Sequence, residues 1–212
     1  TAYAVKLGRT PILVDLDPAD NCLTPTGTLS ACSMDPDAVS VETYATTGLP
    51  VASQPLALWH GQTEPSPDLF NAQVKALAEK IGQRLKEDDW SRSSGLIVNT
   101  NGWIQDKGFD LIVETIKTLK ITIVLVMGHD RLYSMLQSTS AKVIKLPRSG
   151  GVVSRDTNFQ RQSQARSIAR YFYGGTVASP QSPPHRVPEL TPFAVSVAAD
   201  KLTVYKLTSM SL

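Results

Sequence analysis

Several features that would assign a chain to a particular class are scarce in this sequence. There are 2 cysteines, Cys22 and Cys32, and their spacing fits neither a metal site nor a CxxC motif. They therefore indicate free thiols in a reducing compartment. No apolar run approaches the roughly 20 residues that a membrane span requires, so we expect no membrane partner. The formal net charge is only +2, which means that any nucleic acid would have to be bound by a local patch.

Two further absences concern the start of the chain and the binding of phosphate. The sequence begins at Thr1 without a methionine, and residues 1–8 have the pattern of the last turns of a helix closed by Gly8. We therefore expect the chain to begin inside an element of a longer protein. The phosphate-binding pattern GxxxxGK(S/T) occurs nowhere in the 212 residues.

The rest of the sequence alternates between strand patterns and helix patterns. It is 42% hydrophobic over 212 residues, which is enough for one domain with a full core. The alternation predicts an α/β fold, with a mostly parallel sheet and helices on both faces. We expect this domain at 1–177, followed by a proline-rich link and a closing β pair at 178–212. The predicted strands are 11–17, 55–59, 96–98, 121–127 and 142–146, and the predicted helices are 67–85, 109–119, 132–136 and 157–173.

Two of these segments carry more specific expectations. Residues 121–127 are uniformly apolar, which predicts a strand buried on both faces. Residues 193–197 and 201–207 are expected to form the closing β pair, with Asp200 and Lys201 at its turn.

The stretch 95–109 combines a short apolar run, a polar loop containing Trp103 and the start of a helix. This order places loops at the carboxyl edge of an α/β sheet, where such folds bind ligands. A tryptophan there either fills the core or offers a flat face to a ring such as a nucleobase. From the residues alone, both interpretations stay open.

Two groups of charged residues are candidates for chemistry. Asp15 and Asp17 end the first predicted strand, where carboxylates hold Mg²⁺ or accept a proton from a nucleophile. The alternative is a pair of turn-forming aspartates, because Asp before Pro is a common turn signal. The helix 157–173 carries several arginines after a Gly-Gly hinge. It is either a lid that closes over phosphates or a solvated helix face.

Taken together, several segments resemble the polynucleotide 5′-hydroxyl kinase family associated with pre-mRNA 3′-end cleavage and tRNA splicing. Each segment is weak alone, but they occur in the family's order and span nearly the whole chain. The matching segments are Val14–Asp17 with Thr26–Thr28, Gly61–Ser66, Ile97–Trp103 with Gly108, Leu146–Val153, and Ile168 with Tyr171–Gly174.

The resemblance implies a P-loop NTPase-like three-layer fold that lacks its phosphate loop, with 1–177 as a central kinase domain cut at its N-terminus. It implies ATP and Mg²⁺ as cofactors and a nuclear location. Other cleavage and polyadenylation factor subunits are the implied partners, with RNA 5′ ends as further ligands. It also implies roles for single residues. These are catalysis for Asp15, Asp17, Arg155 and Arg161, Mg²⁺ binding for Asp17, contact with a substrate phosphate for Thr63, and base stacking for Trp103.

The chain departs from the family's pattern at three places. Ala19-Asp20 stands where active members commonly have Gly-Gln, Gln160 stands where they often have arginine, and Asn101 stands where a small residue often precedes the glycine. Asp17-Pro18 resembles the degenerate loop of fungal cleavage-factor members, which are thought to keep nucleotide but lose kinase activity.

The departures favour an ATP-binding scaffold subunit, with an active RNA 5′-hydroxyl kinase as the alternative. A P-loop protein of another kind, such as a metal-insertion GTPase, has no use for Trp103. In the family's frame, we expect the Trp103 ring to be exposed or half-exposed at the carboxyl edge of the sheet.

Overall fold

The computed structural model describes residues 1–35, 54–174, 176–178, 186–188 and 190–203. The chain divides into two units, Thr1–Tyr171 and Phe172–Leu212. Among the described helices, none combines the length and the apolar character needed to cross a membrane.

A four-stranded sheet lies at the centre of the first unit, with the order β3-β2-β1-β4. β1 pairs in parallel with β4, whereas β2 is antiparallel to both β1 and β3. Because β2 reverses the chain, β3 runs in the same direction as β1 and β4, and all three end at one edge. The strands are β1 (Ile12–Leu16), β2 (Thr28–Ser33), β3 (Leu56–Trp59) and β4 (Leu96–Thr100).

Helices pack against both faces of this sheet, as alternating side chains of β1 require. Ile12, Val14 and Leu16 point to one face and share a core with α2 and α4. Leu13 points to the other face and packs with Val5 of α1. The predicted α/β class with helices on both faces is therefore confirmed. The helices are α1 (Ala2–Lys6), α2 (Pro67–Glu87), α3 (Asp89–Ser94) and α4 (Lys107–Thr118).

A second sheet pairs β5 (Ile123–Met127) in parallel with β6 (Lys142–Leu146), and α5 (Asp130–Leu136) connects the two strands. Val126 of β5 is buried in a cluster that includes residues of α4 and α5. The opposite side chains Ile123, Leu125 and Met127 are 53%, 56% and 71% exposed. The prediction that this strand is buried on both faces is therefore wrong for the described residues. An apolar run shows only that the strand contains no polar side chains. Whether both of its faces are buried depends on tertiary packing.

The last helix, α6 (Thr157–Tyr173), has the predicted bounds, is strongly polar and has no buried residue. The second unit contains the antiparallel pair β7 (Thr176–Ala178) and β8 (Arg186–Pro188) and a 3₁₀ turn, Ala199–Lys201. The predicted closing β pair is corrected. Residues 193–197 lie outside any strand, the predicted Asp200-Lys201 turn is helical, and 204–207 lie outside the described residues. The observed pairing instead joins 176–178 with 186–188, and the second of these strands lies inside the segment that was assigned to the proline-rich link.

Candidate functional site

The loops after β1, β3 and β4, Arg155 and the first half of α6 line an open cavity of about 590 Å³ within the first unit. The carboxyl edge of an α/β sheet is the usual location for a ligand site. The cavity is lined by Asp17, Ala19, Asp20, Thr63, Glu64, Pro65, Asn101, Gly102, Trp103, Arg155, Phe159, Gln160, Ser163 and Gln164.

The parallel register of β1 and β4 explains why the first and third loops meet. Leu16 lies opposite Thr100, the last residue of β4. The next residue on each strand, Asp17 and Asn101, therefore leaves the sheet side by side, and both line the cavity.

Asp15 lies behind this edge and does not line the cavity. Its side chain is completely buried. One carboxylate oxygen accepts hydrogen bonds from the backbone N–H of Asp17 and from Nδ2 of Asn99, both at 3.0 Å, and the other accepts from the N–H of Cys22 at 2.8 Å. Asp15 thus joins β1, β4 and the first loop, and all three donors hold its carboxylate in place.

Asp17 is half-buried in the cavity wall and organises the loop that follows it. Its Oδ1 accepts from the backbone N–H of Ala19 at 2.9 Å and from that of Asp20 at 3.4 Å. Burial raises the pKa of the Asp17 carboxyl above its usual value. The two backbone hydrogen bonds lower this pKa and the neighbouring Asp15 and Asp20 carboxylates raise it, and the net shift is upward. A carboxylate with a raised pKa is a better proton acceptor than one in water.

Trp103 fits both interpretations that the sequence left open, since it packs on the core and also faces the cavity. Its ring is half-buried, packs against the core beneath the sheet and lines the cavity. Its backbone N–H donates to Oδ1 of Asn101 at 2.9 Å, which fixes the turn after β4. The expectation of a half-exposed ring at the carboxyl edge is confirmed.

Gly108, in the first turn of α4, leaves the space that Trp103 occupies. A Cβ at this position would lie 2.6 Å from Cγ of Trp103 and would also collide with its carbonyl oxygen. Any larger residue at 108 must therefore move the ring or the turn. The sequence marked this glycine as part of a motif, but the contact with Trp103 could not be read from it.

The Thr63 loop is held by two buried polar residues that the sequence did not single out. Nε2 of His60 accepts from the N–H of Ser66 at 3.2 Å, and Nδ1 bonds to Oε1 of Gln73 at 2.7 Å. Because Nε2 is an acceptor, we assign the proton of the neutral ring to Nδ1. Nε2 of Gln73 in turn donates to the carbonyl of Trp59 at 2.8 Å, so α2 fixes both ends of the loop that exposes Thr63.

The arginine-bearing segment contacts the loop after β1. Nη1 of Arg155 donates to Oδ2 of Asp20 at 2.9 Å, and its guanidinium carbon lies 5.3 Å from the centre of the Phe159 ring. Nε2 of Gln164 donates to the carbonyl of Ala19 at 3.4 Å. Arg161 does not line the cavity, whereas Gln160 does, so Arg161 does not replace the arginine expected at position 160.

Four of the six residues singled out from the sequence thus share one cavity: Asp17, Thr63, Trp103 and Arg155. Asp15 supports the cavity from behind, and Arg161 is exposed and outside its lining. No group of three or more metal-ligating side chains occurs among the described residues.

Comparison with known proteins shows what this chain is similar to. The polyribonucleotide 5′-hydroxyl-kinase Clp1 of Danio rerio is 30% identical over 99% of this chain and 45% of its own length. A solved complex of Clp1p with Pcf11p matches at a TM-score of 0.67 and 27% identity, over 82% of this chain and 44% of the other. A second structure, of the Pcf11p–Clp1p interface and of ATP loss in a point mutant, matches at a TM-score of 0.67 and 26% identity. It covers 82% of this chain and 45% of the other.

The chain spans less than half the length of these relatives. The model of one family, mRNA cleavage and polyadenylation factor CLP1 P-loop, matches residues 1–174. The structural matches extend this agreement from sequence to fold. The chain therefore belongs to the CLP1 P-loop family of mRNA cleavage and polyadenylation factors.

Proposed function

We propose that this chain is part of an ATP-binding scaffold subunit of the nuclear pre-mRNA 3′-end cleavage and polyadenylation machinery. The observation that carries the proposal is the family match over residues 1–174, together with the likeness to Clp1p in complexes with Pcf11p. Other subunits of this machinery are the proposed partners. Nuclear location follows from that assignment.

ATP is the proposed nucleotide, supported by the Clp1p structure that concerns ATP loss in a mutant. Because GxxxxGK(S/T) does not occur in the sequence, we assign Arg155 to the phosphates of the nucleotide and keep Thr63 as the proposed contact with a substrate phosphate. The guanidinium of Arg155 lines the cavity and has the donor geometry that phosphate oxygens accept.

A second candidate function is the active kinase, and a specific observation favours it. Asp17, Thr63, Trp103 and Arg155 line the same cavity. An RNA end whose base stacks on Trp103 would place its 5′-hydroxyl among these groups. In this reaction Asp17 takes the hydroxyl proton as the 5′ oxygen bonds to the γ-phosphorus. The bond to the β–γ bridging oxygen breaks, and Arg155 balances charge on the transferred group.

The oxygen donors of this cavity fit the preference of Mg²⁺ for carboxylate ligands completed by substrate phosphates and water. Asp17 is the residue that would hold the ion, which would supply charge compensation at the phosphates. In this proposal Asp15 does not touch the reacting atoms, because its carboxylate is buried behind the loop and orients Asp17 and Asn99. Arg161 has no assigned contact in the cavity.

One experiment separates the two candidates. The whole protein is incubated with γ-labelled ATP and an oligoribonucleotide that carries a 5′-hydroxyl, and ATP binding is measured by calorimetry on the same preparation. An oligoribonucleotide with a 5′-phosphate is the control, because it has no hydroxyl to accept the label. The variants Asp17→Asn and Trp103→Ala test whether any transfer uses this cavity.

Tight ATP binding without label transfer supports the scaffold and contradicts the kinase. Label transfer that disappears in both variants refutes a purely structural role. Failure to bind ATP and to associate with a Pcf11-type subunit would contradict the scaffold proposal itself.

A further inference from the structure

Charge is distributed unequally over the cavity. Among the described residues that line it, Asp17, Asp20 and Glu64 carry carboxylates and Arg155 carries the single permanent positive charge. That positive charge is already paired, because Asp20 accepts its hydrogen bond at 2.9 Å. A ligand with a terminal phosphate therefore meets three carboxylates and a guanidinium that another anion occupies.

The loop after β1 presents Asp20 to Arg155 in a fixed geometry. Oδ1 of Asp17 accepts from the N–H groups of Ala19 and Asp20, which closes a tight turn. A second contact joins the same loop to α6, since Gln164 donates to the carbonyl of Ala19. Two side-chain contacts thus connect this turn to residues 135 and 145 positions away in the sequence.

The pair is weak enough to exchange. Arg155 and Asp20 keep 55% and 58% of their side-chain surface in contact with solvent, so water competes for both groups. A phosphate group offers the guanidinium a second oxygen and a higher charge than the single contact with Asp20 provides. Binding such a group at Arg155 nevertheless requires that the contact with Asp20 be given up.

We propose that Asp20 is a specificity-determining residue of this cavity. By occupying Arg155 it lowers the affinity for a nucleic-acid end that bears a terminal phosphate, relative to the same end without it. The inference rests on the proposed function in taking the cavity as the site of an RNA end. Asp20 does not lower the affinity for the neutral hydroxyl end, whereas the phosphorylated end must displace Asp20 from Arg155 and approach Glu64 and Asp17.

The test uses two oligoribonucleotides of the same sequence, each with a 3′ fluorophore, one with a 5′-hydroxyl and one with a 5′-phosphate. Binding to the whole protein is measured by fluorescence anisotropy without ATP, so that no transfer can occur. The measured quantity is the ratio of the two dissociation constants. Asp20→Asn keeps the shape of the side chain and removes its charge. We expect this variant to shift the ratio toward the phosphorylated probe by roughly threefold to fivefold.

Two further variants separate release of Arg155 from a general change of charge. Glu64→Gln removes the same charge from the cavity lining, and no hydrogen bond joins Glu64 to Arg155 among the described contacts of the cavity. We expect it to shift the ratio less than Asp20→Asn does. When Arg155→Gln is also present, Asp20→Asn should shift the ratio toward the phosphorylated probe no more than Glu64→Gln does. Equal shifts in Asp20→Asn and Glu64→Gln, or a full shift without Arg155, would overturn the proposal.

A measurement without ligand keeps the test decisive. Amide hydrogen exchange in the first two turns of α6 should quicken in Asp20→Asn and in Arg155→Gln, but not in Glu64→Gln. Unchanged exchange in both of the first variants would contradict the contact as described. A wild-type protein that binds neither probe would contradict the assignment of the cavity to an RNA end, and the exchange comparison would still decide on the pairing of Asp20 with Arg155.

Discussion

The two walls of the cavity are built in different ways. The wall after β4 rests on the core, where Trp103 packs against the buried cluster to which β1, α2 and α4 contribute side chains. The wall formed by α6 and by Arg155, which precedes it, has no buried residue and contacts the loop after β1 through exposed or half-exposed polar side chains. Moving a side chain that packs on the core requires much free energy, whereas a side chain held by exposed polar pairs exchanges its partner readily. The structure thus combines a fixed surface for a ring with a releasable contact for an anion.

The largest expected effect tests the core beneath the fixed wall. Leu77 of α2 is fully buried in this core, and Leu77→Ala should reduce the free energy of unfolding by about 2–5 kcal/mol, because it leaves a cavity. The matched change in the other wall is Ile168→Ala in α6, where the side chain is 44% exposed. It should cost less than about 0.5 kcal/mol. Urea denaturation measures both, and equal losses would contradict the contrast between the walls.

The next effect concerns the position of the tryptophan ring. Gly108→Ala places a Cβ where Trp103 lies, so it should weaken binding of a 5′-hydroxyl oligoribonucleotide nearly as much as Trp103→Ala. Loss of base stacking corresponds to about fivefold to a hundredfold in the dissociation constant. Gly102→Ala is the control, because its Cβ meets no atom within 4 Å although Gly102 also lines the cavity. If both alanines weaken binding alike, the clearance at Gly108 is not what positions the ring.

A smaller effect is a change in the pH dependence of stability. The pKa of Asp17 is raised in the folded chain, chiefly by burial. Protonation of Asp17 therefore favours folding. That contribution is fully present below the unfolded pKa and is lost as pH rises through the folded pKa. Asp17→Asn should consequently be more stable than the wild type at neutral pH, and its advantage should shrink as the pH falls into the acid range.

Urea midpoints of the wild type and Asp17→Asn, measured from about pH 3 to about pH 8, check this sign. Asn can still accept the N–H groups of Ala19 and Asp20 through Oδ1, so the turn is kept. Asp110→Asn, on the exposed side of α4, serves as a matched removal of charge. An advantage of Asp17→Asn that grows toward acid would show that burial does not dominate its pKa.

The smallest expected effect is on stability when the releasable contact is cut. Arg155→Gln should change the free energy of unfolding by less than about 1 kcal/mol, because both partners of its ion pair are about half exposed. Thermal melts of the variant and the wild type measure it. A loss as large as that of Leu77→Ala would mean that α6 is held as firmly as the core.

Sequence reasoning located the regular elements best where local signals were strong. Pro67 marks the first turn of α2, and the bounds of β6 and α6 match the predicted segments. β2 was not predicted as a strand, because residues 28–33 mix small and polar side chains that lack a clear alternation. The antiparallel pairing of β2 with β1 and β3 is decided by contacts across the sheet, which no local pattern encodes.

For the site, the sequence identified the loops but not the contacts between them. Asp17, Trp103 and Arg155 could be considered from the pattern alone, because they follow a predicted strand or precede a predicted helix, whereas Thr63 was named only through the family resemblance. The contact of Arg155 with Asp20 joins residues 135 positions apart, and the support of the Thr63 loop by His60 depends on α2. Such contacts depend on tertiary structure and could not be read from spacing.

The exposed side of β5 has a practical consequence for anyone who purifies this chain. Ile123, Leu125 and Met127 form a row of apolar side chains along one face of a short strand. Such a surface binds hydrophobic dyes and favours self-association as protein concentration and salt increase. Light scattering across a concentration series is therefore a sensible first experiment, before any binding curve is measured, and a Leu125→Lys variant should give the more monodisperse sample.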